Sequence, residues 1–191
     1  MHRIKFFTFF VFILLLSTIL AAQETGKKAA DFTLQDFSGK TYTLSKDEDS
    51  KAIVVMFIAT RCPVSNAYNE RMVALYKDYV PKGVSFVAIN SNKQEDIEEV
   101  KEHAEEHNFQ FRVLKDPGNK VADAYDAQVT PEIYVVNSNL ELLYHGRIDN
   151  SQREEGVDSK DLRNALDEIL AGKTVQVADT KAFGCSIKRV Q

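Results

Sequence analysis

The stretch Lys51-Ala-Ile-Val-Val-Met-Phe-Ile-Ala-Thr-Arg-Cys-Pro-Val-Ser65 decides the fold. Ala52 to Ile58 is a continuous apolar run rich in β-branched residues, the pattern of a strand covered on both faces. From Asn66 to Tyr79 apolar residues return at helical spacing (Met72, Val73, Leu75, Tyr76, Tyr79), and Pro81-Lys82-Gly83 ends them. Cys62 therefore falls where a buried strand ends and a helix begins. Helix N–H groups there aim at the sulfur and lower its pKa, favouring the thiolate, the form that attacks disulfides and peroxides. This reading predicts a thiol redox protein.

Upstream, Asp31 to Ser45 alternates around Ser38-Gly39 as a small hairpin does, and residues 24–31 are polar. Downstream, strand and helix alternate: Val84 to Ile89 as strand, Glu95 to His107 as an acidic helix, and Phe109 to Leu114 as a short strand. The turn Asp116-Pro117-Gly118 follows, then a short helix from Lys120 to Tyr125. Ile133 to Val136 and Glu141 to Arg147 form a hairpin about Asn137-Ser138-Asn139. A helix from Asp158 to Leu170 ends at Gly172. The sum is an α/β domain, a central mixed sheet with helices on both faces. No repeat or linker divides it, and a polar tail from Thr174 to Gln191 carries Cys185.

His2, Arg3 and Lys5 precede the apolar run Phe6 to Leu20 and the small residues Ala21-Ala22, which reads as an export signal over residues 1–22. The run is short for a membrane span. Residues 23–191 are then one domain, including the tail. Loss of Arg3 and Lys5 reduces 24 basic residues to 22 against 28 acidic ones, a net charge of about −6, which argues against nucleic acid as a partner. Two cysteines in an exported chain fit one disulfide or a redox pair.

Three features together resemble the thioredoxin fold: Ala30-Asp-Phe-Thr-Leu-Gln-Asp-Phe-Ser-Gly-Lys40, the strand-Cys-Pro-helix step at Cys62-Pro63, and Thr130-Pro131 before a strand. They resemble in particular its redoxin branch, the alkyl hydroperoxide reductase and thiol-specific antioxidant group. Leu114-Lys-Asp-Pro-Gly-Asn119, Tyr144-His-Gly-Arg-Ile-Asp149, Asp161-Leu-Arg-Asn-Ala-Leu166 and Gly184-Cys-Ser-Ile-Lys188 are similar to a peroxiredoxin-like subgroup of exported redoxins. The resemblance implies a thioredoxin-like fold and Cys62 as nucleophile. It also implies Pro63 opening the helix, Ser65 hydrogen-bonding the sulfur, and Thr130-Pro131 as a cis step facing it. X-Pro bonds are cis in only ~5–6% of folded cases, so the resemblance alone supports that isomer. With a cis bond, the Thr130 backbone is expected to pair with an extended client peptide, as in strand addition; the alternative is an ordinary proline starting a strand.

Two departures from the family shape the chemistry. Cys62-Pro63-Val64-Ser65 lacks the second cysteine of Cys-x-x-Cys, so Cys185 becomes the resolving candidate. A bridge between the two would stabilise by about 5 kcal/mol in the chain-entropy model. It could also form once during export and stay, and sequence does not test the Cα separation of under ~7 Å that it needs. Peroxiredoxins resemble Pro-x-x-x-Thr-x-x-Cys, where Val55 and Ala59 stand here, which favours disulfide exchange over peroxide reduction.

Arg147 and Arg61 are candidates for lowering the thiol pKa, each with a solvated arginine as the alternative. His145, at strand spacing from Arg147, is expected on the same face. His103-Ala-Glu-Glu-His107 matches an inverted zinc-protease pattern with Glu106 as base, but its charged flanks read as a solvated helix face. No cofactor and no metal are implied. The expected partners are thiol or disulfide client proteins or a peroxide, and a reducing thioredoxin-like donor. Membrane contact is expected only through an uncleaved signal, and the compartment is the periplasm or the extracellular space. A low-turnover peptide-binding module on the same fold is the competing class.

Overall fold

The buried strand read from the sequence is β3, Ala52–Ile58, and all seven of its residues are buried. A computed structural model describes residues 26–190, so the export-signal reading of residues 1–22 lies outside the described residues. Alternate β3 side chains enter two separate cores: Ala52, Val54, Met56 and Ile58 one, Ile53, Val55 and Phe57 the other. Coverage on both faces is why the run shows no polar alternation.

Around β3 the chain lays down β1 (Thr33–Asp36), β2 (Thr41–Thr43), β4 (Val84–Asn90), β5 (Arg112–Lys115), β7 (Glu132–Val136) and β8 (Leu142–Gly146). They form one seven-stranded sheet in the order β2-β1-β5-β4-β3-β7-β8. β3, β4 and β5 are parallel, while β7 runs antiparallel to β3 and β1 antiparallel to β5. The expected mixed sheet is thus present. A separate two-residue ladder joins β6 (Val129–Thr130) to β9 (Cys185–Ser186), with Thr130 opposite Cys185.

On the first face lie α2 (Asn69–Tyr79), α3 (Ile97–Glu106) and α5 (Asp161–Leu170). Met72 and Leu75 of α2 are buried there, each worth roughly 1.5–3 kcal/mol relative to exposure. On the second face α4 (Lys120–Ala124) buries Val121 and Ala122 beside Leu44.

The helix expected from Asn66 to Tyr79 is two pieces: α1 (Pro63–Asn66) and α2 are separated at Ala67-Tyr68. The Tyr68 N–H bonds to the Ser65 carbonyl, three residues back. Its hydroxyl reaches across the fold to Asp149 Oδ1 at 3.0 Å and to the Ser151 carbonyl at 2.9 Å. That long-range tie overrides the local periodicity. α3 begins at Ile97, capped by Asp96, and leaves Glu95 outside the helix.

Candidate functional site

Cys62 is the N-cap of α1, with extended backbone (φ −89°, ψ 114°) and Pro63 in the first turn. Its side chain is 3% exposed. The sulfur accepts a hydrogen bond from the Ser65 N–H at 3.3 Å and, as a thiol, donates to the Thr130 carbonyl at 3.3 Å. The Ser65 hydroxyl, expected on the sulfur, instead accepts the Ala59 N–H at 3.2 Å, so Ser65 serves Cys62 through its main chain. The Thr130–Pro131 bond is cis, as the resemblance implied.

Cys185 arrives from the other end of the chain. Its place opposite Thr130 in the β6–β9 ladder brings it beside Cys62, whose thiol meets the same Thr130 carbonyl, and both cysteines are free thiols. Burial pushes the Cys62 pKa up, but the Cys185 thiol, the Ser65 N–H, the Thr130 hydroxyl and the Cys185 N–H outweigh it, and the net shift is down. Cys185 moves up, through burial and then through its bond to, and repulsion by, the Cys62 thiolate. The first proton therefore leaves Cys62 while Cys185 keeps its own. The Thr130 hydroxyl is buried without a hydrogen-bond partner, and it is among the groups that favour the Cys62 thiolate.

The Thr130 edge is not open to an incoming peptide, contrary to the sequence expectation, because the tail of the same chain lies along it. The Ile187 N–H continues the pairing onto the Gln128 carbonyl at 3.0 Å, and the Ile187 side chain is buried in the second core. Beyond it, the Lys188 N–H bonds Asn92 Oδ1 at 2.7 Å and the Val190 N–H bonds Asn119 Oδ1 at 2.7 Å. Upstream, Phe183 packs edge-on against Tyr68 with centroids 6.3 Å apart.

Two buried carboxylates that sequence reasoning missed hold the segments flanking the sulfur. Glu95, 3% exposed, accepts the Thr60 N–H at 2.9 Å and the Arg61 N–H at 3.1 Å, fixing the two residues before Cys62. It also accepts the side-chain amides of Asn90 at 2.5 Å and Asn92 at 3.0 Å. Glu132, 5% exposed, accepts the Gln128 N–H at 2.7 Å and the Val129 N–H at 3.1 Å, fixing β6. It also meets His145 Nε2 at 2.8 Å, while His145 Nδ1 faces Asp179 at 2.9 Å. The available signals were modest: Glu95 closes a polar run at the carboxyl end of β4, and Glu132 is an acid opening an apolar strand.

Arg147 is not brought to Cys62; its Nε lies 2.7 Å from Asp161 Oδ2 in an ion pair. β8 ends at Gly146 with φ +142°, a backbone that breaks strand alternation, so His145 and Arg147 face different partners. A side chain at Gly146 would also strike Thr180, since its Cβ would fall 2.0 Å from the Thr180 hydroxyl oxygen. Arg61 is largely exposed and pairs with Glu99. The Thr60 hydroxyl also donates to Glu99, which leaves it engaged away from the sulfur. His103 is buried rather than solvated, against Asn69 and Phe109. Among the described residues no group of three or more His, Cys, Asp or Glu is placed to hold a metal ion, so the zinc-protease pattern finds no third ligand.

The AhpC/TSA family profile matches residues 25–145. Among curated proteins, the chain is 28% identical over 116 residues to the thiol-disulfide oxidoreductase ResA of Bacillus cereus, covering 61% of this chain and 65% of that one. The match thus spans just under two thirds of that relative's length. Among solved structures, a hypothetical protein from Sinorhizobium meliloti superposes with a TM-score of 0.81 at 36% identity, covering 88% of this chain and 96% of that one. The thioredoxin domain of a thiol-disulfide oxidoreductase from Bacteroides vulgatus superposes at 0.57 with 17% identity, over 65% of this chain and 89% of that one, a likeness of fold alone. The fold is thioredoxin-like.

Proposed function

Because the chain belongs to the AhpC/TSA family, we propose that it is an exported thiol-disulfide oxidoreductase with Cys62 as nucleophile and Cys185 as resolving cysteine. The observation that carries this reading is the β6–β9 ladder, which sets Cys185 opposite Thr130 while the Cys62 sulfur lies 3.3 Å from the Thr130 carbonyl, so that the two thiols are neighbours and shift apart, Cys62 toward thiolate and Cys185 away from it. In the reducing direction the Cys62 thiolate attacks a client disulfide, a mixed disulfide forms and one client sulfur leaves as thiolate. Cys185 then gives up its proton and attacks Cys62 Sγ, releasing the second client sulfur and leaving the Cys62–Cys185 bridge. A reducing thioredoxin-like donor returns the bridge to two thiols.

The reactive atoms are the two sulfurs, so the reading calls for no cofactor. Disulfide exchange is favoured over peroxide reduction because Ala59 supplies no hydroxyl where peroxiredoxins place their threonine, Val55 stands in place of their proline, and the Thr60 hydroxyl donates to Glu99. Among the described residues no helix is long and apolar enough to cross a membrane. The proposed compartment is the periplasm, reached through residues 1–22.

The test is to reduce the protein, add one equivalent of oxidised glutathione, block the remaining thiols and map the products by peptide mass spectrometry. A Cys62–Cys185 bridge that forms rapidly and is removed by thioredoxin is the expected result. Two thiols that never bridge, or a bridge that thioredoxin cannot reduce, would overturn the assignment of Cys185.

A further inference from the structure

We propose that His145 is a positioning residue for the resolving step: its ring joins the supports of both strands of the β6–β9 ladder, β6 through Glu132 and the tail through Asp179, and its charged form keeps Cys185 close to Cys62. This deepens the reading above and rests on Cys185 as the resolving cysteine. His145 Nε2 lies 2.8 Å from Glu132 Oε1, and Glu132 in turn holds the Gln128 and Val129 N–H groups. His145 Nδ1 lies 2.9 Å from Oδ2 of Asp179, six residues before Cys185. One ring therefore touches what holds each of the two strands whose pairing sets Cys185 opposite Thr130.

Both ring nitrogens face carboxylates, and only the imidazolium has an N–H for each. The neutral ring keeps one, and burial decides where it goes. The Glu132 side chain is 6% exposed and cannot turn to water, whereas that of Asp179 is 79% exposed and can. The proton stays on Nε2, toward Glu132, and the Nδ1 lone pair is left against Asp179, which swings into solvent. Thus β6 is held at either charge, and the side-chain hold on the tail is the one that pH releases. The bond to Glu132 raises the ring's pKa above the usual 6.5, burial opposes, and Asp179 adds to the rise, so the hold is lost as pH climbs through that raised value. Tyr134 stacks on the ring with centroids 4.6 Å apart. Among the described residues Asp126, Glu141, Lys27, Lys28 and Lys173 border the same cleft, and none of them bonds the ring.

The root of the tail stays on β8 in either state. The His145 N–H bonds the Ala178 carbonyl at 2.9 Å, the Thr180 N–H bonds the His145 carbonyl at 2.9 Å, and the Thr180 hydroxyl oxygen accepts the Arg147 N–H at 3.0 Å. A group carried on Cys62 takes space beside Thr130, and Cys185 must stand aside for it; the root limits how far. Asp179 tightens that tether while His145 is charged, which raises the local concentration of Cys185 at Cys62. The step it serves is one displacement. The Cys185 thiolate, its proton lost to solvent, attacks Cys62 Sγ, the Cys62–Cys185 bond forms, and the group on Cys62 leaves with the electron pair as a thiolate.

The test mixes reduced full-length protein with excess 2,2′-dipyridyl disulfide from about pH 6 to about pH 9 and follows thiopyridone release. The first phase reports Cys62; the second, independent of reagent concentration, reports Cys185 displacing thiopyridone from Cys62. The unmodified protein is compared with Asp179→Ala, and the ratio of their second phases cancels the rise that both share as Cys185 ionises. That ratio is expected to be about fivefold below the pH at which the His145 ring titrates by NMR, the weight of one charge-assisted hydrogen bond, and to fall to about one above it. Asp179→Asn, whose amide accepts from the charged ring and donates to the neutral one, is expected to stay ahead of Asp179→Ala by the same factor on both sides of that pH. A ratio of unmodified protein to Asp179→Ala that is the same at every pH, or that breaks away from the His145 titration, would overturn the role of His145 and leave Cys185 as the resolving cysteine. The absence of any concentration-independent second phase would remove Cys185 from that role and this inference with it.

Discussion

Glu95 and Glu132 do the same work on opposite sides of Cys62, with different company. Each is a buried carboxylate that gathers two main-chain N–H groups from an irregular segment, Thr60-Arg61 in one case and Gln128-Val129 in the other. The remaining donors to Glu95 are the amides of Asn90 and Asn92, which do not titrate. Those to Glu132 are the Tyr134 hydroxyl and His145, whose ring also reaches Asp179 within the tail. The comparison teaches that the approach to the nucleophile is held by neutral donors, whereas the segment that receives the tail is held in part by a group that changes charge near neutrality.

The largest effect is expected from removing either carboxylate. Glu95→Ala and Glu132→Ala each leave several buried donors unpaired, and each is expected to cost about 3 kcal/mol in urea unfolding. A near-neutral result for one of them would end the equivalence.

The second expectation separates the two sides. Hydrogen bonding to Glu132 comes first among the causes that raise the His145 pKa above its usual 6.5, and Asp179 adds to it while burial opposes. The charged ring's contribution is therefore complete below about 6.5 and is lost as pH climbs through the raised folded value. Burial pushes the Glu132 carboxyl up, but His145 and the Val129 and Gln128 N–H groups bring it below its usual 4.5. Its contribution is present above that figure and lost as pH falls through the lowered value. Both groups support the fold between about pH 4.5 and 6.5. Stability is expected to fall by about 1–2 kcal/mol above that window, the weight of a charge-assisted hydrogen bond. His145→Gln should remove the fall, and a variant that keeps it would place the titrating group elsewhere.

Smaller effects bear on the sulfur itself. Cys185→Ala removes the foremost group lowering the Cys62 pKa and is expected to move the alkylation profile of Cys62 to higher pH. Thr130→Val removes a lesser one and should move it in the same direction by less. The opposite ranking would shift the weight from the tail to β6.

Local chemistry made much of this legible. The β3 bounds, Ala52–Ile58, follow from a run apolar on both faces, and the place of Cys62 follows from that run meeting Pro63. What escaped depends on distant partners. The pause at Ala67-Tyr68 answers to Asp149, the diversion of Arg147 to Asp161, and the occupation of Thr130 to residues past 180. Glu95 and Glu132 escaped because they serve backbone N–H groups, which every residue but proline carries and no side-chain pattern marks.

The tail's anchor points have a consequence for the order of assembly. Asn92, Asn119 and Gln128 belong to three separate loops, and the bonds from Lys188 and Val190 span 96 and 71 residues. Contacts so remote in sequence form only after the loops have been brought together by the sheet, because loop closure must come first. Cys62 is in place with the β3–α1 step, while Cys185 finds its seat last. Until the tail docks neither thiol is covered by the other, so the meeting of the two sulfurs is itself a late product of assembly.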